Sequence, residues 1–263
     1  MTKRVLIRGG GEMGSGVAWR LRRCGFEIII AELARPLAVR RWVVFSEAIY
    51  EGAHRLEGIT ARRADLTQVD DICRAGEIPV IVSPAAECFG QFRPDVIVDA
   101  ILAKKNTGTR RGMASRVIGL GPGFTAGDDV DCVVETNRGP NLGRCIWSGA
   151  AEPNTGVPGL LAGESTRRVL RAPAVGVIEA LKQIGDSVTA GTPVARIGGT
   201  EVCSLLDGVV RGMLREGTQV SSGTKIGDID PRGDRELCGR VSEKALAIAG
   251  GVLEGILTSR DSY

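Results

Sequence analysis

The opening stretch of the chain changes rhythm twice within thirty residues. Val5 to Arg8 is a short apolar run closed by Gly9, Gly10 and Gly11, after which Met13, Val17, Ala18 and Leu21 recur at helical spacing. That pattern predicts strand, tight turn and helix. Phe26 to Ala31 is a second apolar run ending in Glu32, and predicts the next strand. IPVIVSP and DVIVDAILA (Asp95 to Ala103) are continuous apolar runs of the kind found in parallel strands buried on both faces. ARPLAVRRWVVFSEAIYEG, with apolar residues at Leu37, Val44, Phe45 and Ala48, predicts a helix starting at its proline. YEGAHRLEGITARRA predicts a hairpin, and DLTQVDDICRAGEI a short helix ending near Gly76. Val130 to Glu135 and Leu142 to Trp147 predict two strands joined by TNRGPN.

The texture shifts at AAEPNTGVPGLLAGEST, where prolines and glycines replace periodicity, and the first domain boundary is expected near Ser165. From Arg168 to Pro231 short strands alternate with glycine turns, and APAVGVIEALKQIGDSVTAGTPVARIG aligns with SLLDGVVRGMLREGTQVSSGTKIGDID. Each half carries a glycine (Gly176, Gly208), a β-rich run, then GDSVTAG or GTQVSSG, then another strand. Two such halves that cannot bury their faces singly predict a small interlocked β-sandwich. RVSEKALAIAGGVLEGILTSR predicts a largely apolar helix capped by Ser242. Such a helix needs a cover, either the N-terminal sheet or a second copy of the chain in a homo-oligomer. The expected organisation is α/β: a Rossmann-like parallel-sheet domain over 1–164, a β-rich domain over 165–232, and a carboxy-terminal helical segment over 233–263.

Composition narrows the class. The chain has 263 residues, 43% of them hydrophobic, with 34 basic and 31 acidic side chains interspersed to a net charge of +3. This balance argues against a dedicated nucleic-acid surface. No apolar run approaches the roughly twenty residues of a membrane span. MTKRVLIRGGGE leads straight into a strand rather than a signal sequence, so a cytoplasmic location is expected. Seven scattered cysteines (Cys24, Cys73, Cys88, Cys132, Cys145, Cys203 and Cys238) form no CxxC, and His54 is the only histidine. Zinc sites and Cys/His or Ser/His/Asp catalysis therefore lack raw material, and the cysteines read as small buried hydrophobes.

Candidate chemistry concentrates in the N-terminal part. Gly9, Gly11 and Gly14 fit GxGxxG, in which the first glycine permits the turn, the second lets backbone approach a pyrophosphate, and the third allows close helix packing. Gly10 and Met13 complete the turn, and a phosphate would meet free N–H groups at the helix start. Glu12, inside the turn, would repel a phosphate unless it points outward. Glu32, eighteen residues beyond Gly14, stands where a ribose-binding carboxylate is expected. Arg35, Arg40 and Arg41 follow it and are candidates for an additional phosphate. After the Asp95–Ala103 run, KKNTGTRRGM carries Lys104, Lys105, Arg110 and Arg111 around Asn106, Thr107 and Thr109, donors suited to phosphate or carboxylate. Gly119, Gly121, Gly123 and Gly127 then bring backbone close to a ligand or another strand, with Gly121 and Gly123 expected to close the site. Asp128, Asp129 and Asp131 follow, but no metal is expected, since helix-starting and surface acids are commoner than Mg²⁺ ligands.

In the β-rich part, the repeat resembles the barrel-sandwich hybrid of biotinyl and lipoyl carriers. Those carriers attach their cofactor to a hairpin lysine, and the corresponding GGTEVCSLLDG contains none, so covalent biotin or lipoate is not expected. Taken in order, RGGGEMGSGVAWRL, RPLAVRR, VDAILAKKNTGT, GLGPGFTAGDDVDCVVETNRGPNLGR, RAPAVGV, KIGDIDPRG and AGGVLEGIL resemble the YqeB-type proteins of the selenium-dependent molybdenum hydroxylase system. The resemblance runs nearly end to end. It implies an accessory role in maturation of a selenium-dependent molybdenum hydroxylase, which would be the partner, with a nucleotide, an NAD(P)-like dinucleotide or a molybdopterin cofactor as ligand. Two other readings are open. An NAD(P)-dependent oxidoreductase would use the same turn, with only Lys104, Lys105, Asp99 and Glu135 available as acid or base. A non-catalytic scaffold would dock the hydroxylase through its β-rich part.

Overall fold

Val5, Leu6 and Ile7 are wholly buried and form the middle of β1 (Arg4–Arg8), the strand around which the largest sheet is built. The computed structural model describes residues 3–83, 89–157 and 159–259; Pro84, Cys88 and Pro158 lie outside the described residues. The chain is mixed α/β, with a large sheet of mainly parallel strands and a helix near its carboxyl end. It divides into two compact units: Met1–Pro36 with Val44–Asn154 and Val241–Tyr263, and Leu37–Val43 with Thr155–Arg240.

In the first unit β1 passes through the glycine turn into α1 (Glu12–Arg23) and β2 (Glu27–Glu32). Then come α2 (Ala48–Glu51), β3 (Ala53–Leu56), β4 (Ile59–Ala64), α3 (Val69–Arg74), β5 (Ile78–Val82), α4 (Phe89–Phe92), β6 (Val96–Asp99) and β7 (Arg116–Leu120). The two-residue strands β8 (Thr125–Ala126), β10 (Cys145–Ile146) and β11 (Gly149–Ala150) and the three-residue β9 (Cys132–Val134) follow. Nine strands form one sheet in the order β10-β9-β7-β6-β1-β2-β5-β4-β3. All neighbours from β9 to β4 are parallel, and the edge strands β10 and β3 are antiparallel. Between β1 and β6 the strand order reverses, which is where open α/β sheets leave a crevice at their carboxyl ends.

The last helix, α5 (Glu243–Leu257), is capped by the Ser242 hydroxyl, which accepts from the Ala245 N–H. It lies beside α1 and over β7, β9 and β10. Two small residues permit this approach: a Cβ on Gly16 would stand 2.6 Å from Ala245 Cβ, and one on Gly251 would overlap the Gly143 carbonyl. Gly250, with open space around it, contributes nothing of this kind.

The second unit contains β12 (Val169–Arg171), β13 (Gly176–Ala180), β14 (Ser187–Val188), β15 (Pro193–Ile197), β16 (Thr200–Cys203), β17 (Gly208–Met213), β18 (Gln219–Val220) and β19 (Lys225–Asp230). Its halves interlock by exchange: β13 pairs with β15 of its own half and β18 of the other, while β17 pairs with β19 and with β14. Neither half could close a core alone, and the shared core runs through Ile178, Val194, Ile197, Val209, Ile226 and Ile229. Each such side chain contributes roughly 1.5–3 kcal/mol on burial.

Three expectations change in detail. The 35–52 stretch is no single helix: it forms 3₁₀ turns at Arg41–Val43 and Phe45–Glu47 before the short α2. The strand predicted for Asp95–Ala103 stops at Asp99, because the chain turns there and Leu102 and Lys104 take left-handed φ of 58° and 63°. The strands predicted for Val130–Glu135 and Leu142–Trp147 shrink to β9 and β10, because Glu135 and Gly143 are drawn into the turn.

Candidate functional site

The carboxyl rim of the large sheet gathers most of the residues that the sequence marks for ligand binding. At the end of β1, Gly9 has φ +95°, and its N–H donates to the Ala31 carbonyl at 2.8 Å. A Cβ on Gly14 would overlap the Gly9 carbonyl, so α1 rises directly against the turn. Gly11 is the helix N-cap, with an ordinary φ of −69° and open space where a side chain would stand. Met13 is buried beneath it. Glu32 is bound to this loop: its Oε2 accepts from Gly10 N–H and its Oε1 from Leu33 N–H, both at 2.7 Å. Two backbone donors thus orient the carboxylate at the loop's edge.

Across the crevice β6 leads into the Lys104–Thr109 loop. Asn106 shapes it, its Oδ1 accepting from Gly108 and Thr109 N–H at 2.8 and 2.9 Å and its Nδ2 donating to the Thr109 carbonyl at 2.8 Å. Thr107 is exposed, and its carbonyl accepts from Arg8 at 3.5 Å. Lys104, Lys105 and Arg110 are exposed and make no ion pair with a described residue. Arg111 is engaged by Asp131 and the Gly127 carbonyl.

The Gly119–Gly127 segment joins the same rim, and its glycines are explained by protein contacts. Gly121 is buried against Thr136, and a Cβ on Gly123 would stand 2.7 Å from Lys105 N. Asn106 Nδ2 also donates to Asp129 Oδ1 at 3.3 Å, so the two loops brace one another. At the end of β9 the buried Glu135 accepts from the N–H groups of Thr136 and Asn137 at 2.6 Å and Glu152 at 2.7 Å. Its carboxylate serves as a turn anchor. Among the described residues no cluster of three or more His, Cys, Asp and Glu side chains could hold a metal ion.

Some predicted residues leave the site and unpredicted ones enter it. Arg40 lies in the second unit and donates to the carbonyls of Leu237, Cys238 and Arg240, while Arg41 donates to that of Met213. Those backbone contacts occupy both guanidinium groups and remove them from the role of extra phosphate ligands. Arg8, which the sequence did not mark, joins Asp99 at the core of the crevice: they are register partners on β1 and β6, paired at 2.9 Å, with Thr109 bonded to both, so Asp99 is held in an ion pair rather than free as an acid or base. The signal was a charged residue closing each of two apolar runs, VLIR and VIVD. Lys244, in the first turn of α5, is the other unforeseen residue. Burial, reinforced by Arg138, holds its ammonium below the usual lysine range against the opposing pull of Glu12 and Glu135. At the opposite, amino end of the sheet a cavity of about 190 Å³ is lined by Arg22, Phe26, Glu27 and Cys73, none of them a candidate for the rim chemistry.

Fold and site together define a mixed α/β protein with a glycine turn at its central strand. The chain is similar to the uncharacterized protein YqeB of Escherichia coli K12, 48% identical over 254 residues, which is 96% of this chain and 47% of that protein. The two are homologous along almost the whole chain, which spans about half the length of that curated relative. The name of the relative states no activity. No protein-family model matches the chain. Among solved structures, the ectoine utilization protein EutE (DoeB) of Ruegeria pomeroyi is similar at 10% identity and a TM-score of 0.25, covering 81% of this chain and 61% of that one. An aspartoacylase family protein of Mesorhizobium loti has 10% identity and a TM-score of 0.27, covering 87% and 85%. A succinylglutamate desuccinylase/aspartoacylase of Rhodobacter sphaeroides has 12% identity and a TM-score of 0.29, with the same coverage. Likenesses this weak carry no argument about fold or activity.

Proposed function

We propose that the chain is an accessory factor that binds a nucleotide or molybdopterin-type cofactor through the Gly9–Gly14 loop of a Rossmann-like first unit. The observation that carries this reading is the state of Gly11. It caps α1 at the point where the strand order reverses, with open space in front of it, while Gly10 N–H fixes a carboxylate alongside. A pyrophosphate there would meet helix N–H groups, and Glu32 would face ribose hydroxyls. Lys104, Lys105 and Arg110, exposed and in no ion pair with a described residue, supply positive charge on the adjoining loop.

The second unit is proposed as a barrel-sandwich-hybrid-like module, a reading supported by the exchange of β14 and β18 between its halves. By resemblance, the partner is a selenium-dependent molybdenum hydroxylase undergoing maturation in the cytoplasm. Native mass spectrometry of freshly purified protein tests the ligand: a retained mass matching a nucleotide or pterin supports the reading. A ligand-free chain that also fails to bind added nucleotides or pterins counts against it. Co-purification of the hydroxylase, lost on deleting the second unit, tests the partner.

A further inference from the structure

Cys132 and Cys145 lie on neighbouring strands at the β10 edge of the large sheet, and both thiols are free. Cys145 is the register partner of Val134, two residues beyond Cys132. The two cysteines therefore share one face of the sheet, the face that α5 covers, and stand on a diagonal across the strand pair. Their sulfurs converge beneath Gly255 of α5: a Cβ built there would lie 3.6 Å from each Sγ and 3.1 Å from Ile118 Cδ1. Any side chain at 255 would occupy the space over the pair. The two thiols hydrogen-bond one another, and Cys145 Sγ also donates to the Gly251 carbonyl at 3.0 Å. Cys132 is wholly buried, whereas Cys145 is half-buried on the edge strand and can be approached from the open side of the sheet.

The diagonal decides what such a pair can do. Diagonal neighbours on antiparallel strands stand roughly 7–8 Å apart at Cα, beyond the span a disulfide closes without backbone movement. A metal ion between two thiolates spans more: at roughly 2.3 Å per metal–sulfur bond, a linear S–metal–S unit holds its sulfurs about 4.6 Å apart. Among the described residues no third His, Cys, Asp or Glu side chain completes a larger set of ligands. Zinc, which takes four ligands, is therefore poorly served, and hard cations prefer oxygen. Thiolates select soft ions, of which Cu(I), with a filled d shell, is satisfied by two. The charged groups around the pair are Glu254 from α5 and Arg116 from β7. Glu254 favours a cation. Arg116, which donates to the Thr258 carbonyl at 2.8 Å and lies over the Trp147 ring, offsets the single negative charge left on a bis-thiolate complex.

We propose that Cys132 and Cys145 form a two-coordinate bis-thiolate site for a soft monovalent metal ion of the Cu(I) class. On binding, two S–H bonds break and two Cu–S bonds form, both protons pass to water, and the oxidation state of copper is unchanged. The site shares no residue with the glycine loop. Cu(I) is titrated anaerobically, with ascorbate, into the full chain and into Cys132→Ala, Cys145→Ser and Cys24→Ser variants in the presence of bathocuproine disulfonate. The coloured chelate reports the copper that the protein fails to hold. The full chain and Cys24→Ser should each withhold one equivalent. Either substitution at the pair should weaken retention by at least about a hundredfold, the upper end of what even outer-shell changes cost. Circular dichroism checks the fold of each variant, and Cys145→Ser, at the more accessible position, keeps the test open if Cys132→Ala unfolds. X-ray absorption of the loaded chain should show two sulfur neighbours around copper. Retention unchanged in Cys145→Ser, a copper shell of three or more sulfurs, or no equivalent withheld by the full chain would each overturn the site.

Discussion

Arg8 and Asp99 meet at the carboxyl ends of β1 and β6, Nη1 of one 2.9 Å from Oδ2 of the other, with only 4% and 1% of their surfaces accessible. Thr109 donates its hydroxyl to the same carboxylate oxygen at 2.6 Å. The loop that carries Thr109 is thus tied down by a buried ion pair. Taking two charges out of water offsets much of their attraction, but removing one partner leaves the other uncompensated. Asp99→Ala is expected to cost about 3–5 kcal/mol, and replacing both residues by apolar ones of similar volume to recover most of it. Urea unfolding of the single and double variants measures this. A double variant no more stable than Asp99→Ala would show that the pair itself, rather than the orphaned charge, sets the cost.

Gly11 and Gly14 belong to one motif, but their substitution should have opposite consequences. A Cβ on Gly14 runs into the Gly9 carbonyl, so Gly14→Ala must push α1 off its strand and lower the melting temperature. Gly11 has a φ open to any residue and free space ahead of it, so Gly11→Val leaves the fold intact and obstructs only what would sit on the loop. Thermal unfolding followed by circular dichroism should separate the two, with Gly11→Val melting close to the unsubstituted chain. Equal destabilisation would mean that the turn is more tightly packed than described.

What could be read from the residues depended on how local each element is. The strand–turn–helix around Gly9 to Gly14 is legible because its apolar spacing and glycines act within twenty residues. The apparent helix over 35–52 was a coincidence of spacing: Leu37 belongs to the second unit and Val44, Phe45 and Ala48 to the first, so no single apolar face exists. The two-residue strands β8 and β11 are too short to show any period. The glycines of the 119–127 segment were visible, but their partners Thr136 and Lys105 were not, since contact between loops leaves no spacing to read. Arg8 and Asp99 lie 91 residues apart and become neighbours only when β6 crosses to the far side of β1.

Asp230 makes the second unit sensitive to acid. Burial opposes its ionisation, but the Arg232 side chain at 2.7 and 2.9 Å, the Arg232 N–H, and the charges of Arg232 and Arg211 prevail and hold the carboxyl below its usual range. A depressed folded pKa contributes stability that is complete above the unfolded value, about 3.9, and is lost as pH falls through the lower folded one. The difference in stability between the chain and its Asp230→Asn variant should therefore be largest at pH 6–7 and shrink below about pH 4. Urea midpoints at pH 7 and pH 3 check this, and a gap that widens in acid would contradict the sign.

Cys73 and Cys24 should differ sharply toward alkylating reagents. Burial beside β2, with the charge of Glu27 adding to it against the opposing effect of Arg4, pushes the Cys73 thiol up to about 12. The thiolate is the nucleophile, so at pH 8 only about one Cys73 in ten thousand is in reactive form, and the site is partly covered as well. Cys24 is exposed to solvent just beyond α1. Iodoacetamide at pH 8 should alkylate Cys24 first and Cys73 far more slowly, with the contrast disappearing in urea as burial is lost. Comparable native rates at the two positions would mean that the packing of α3 against β2 opens readily in solution.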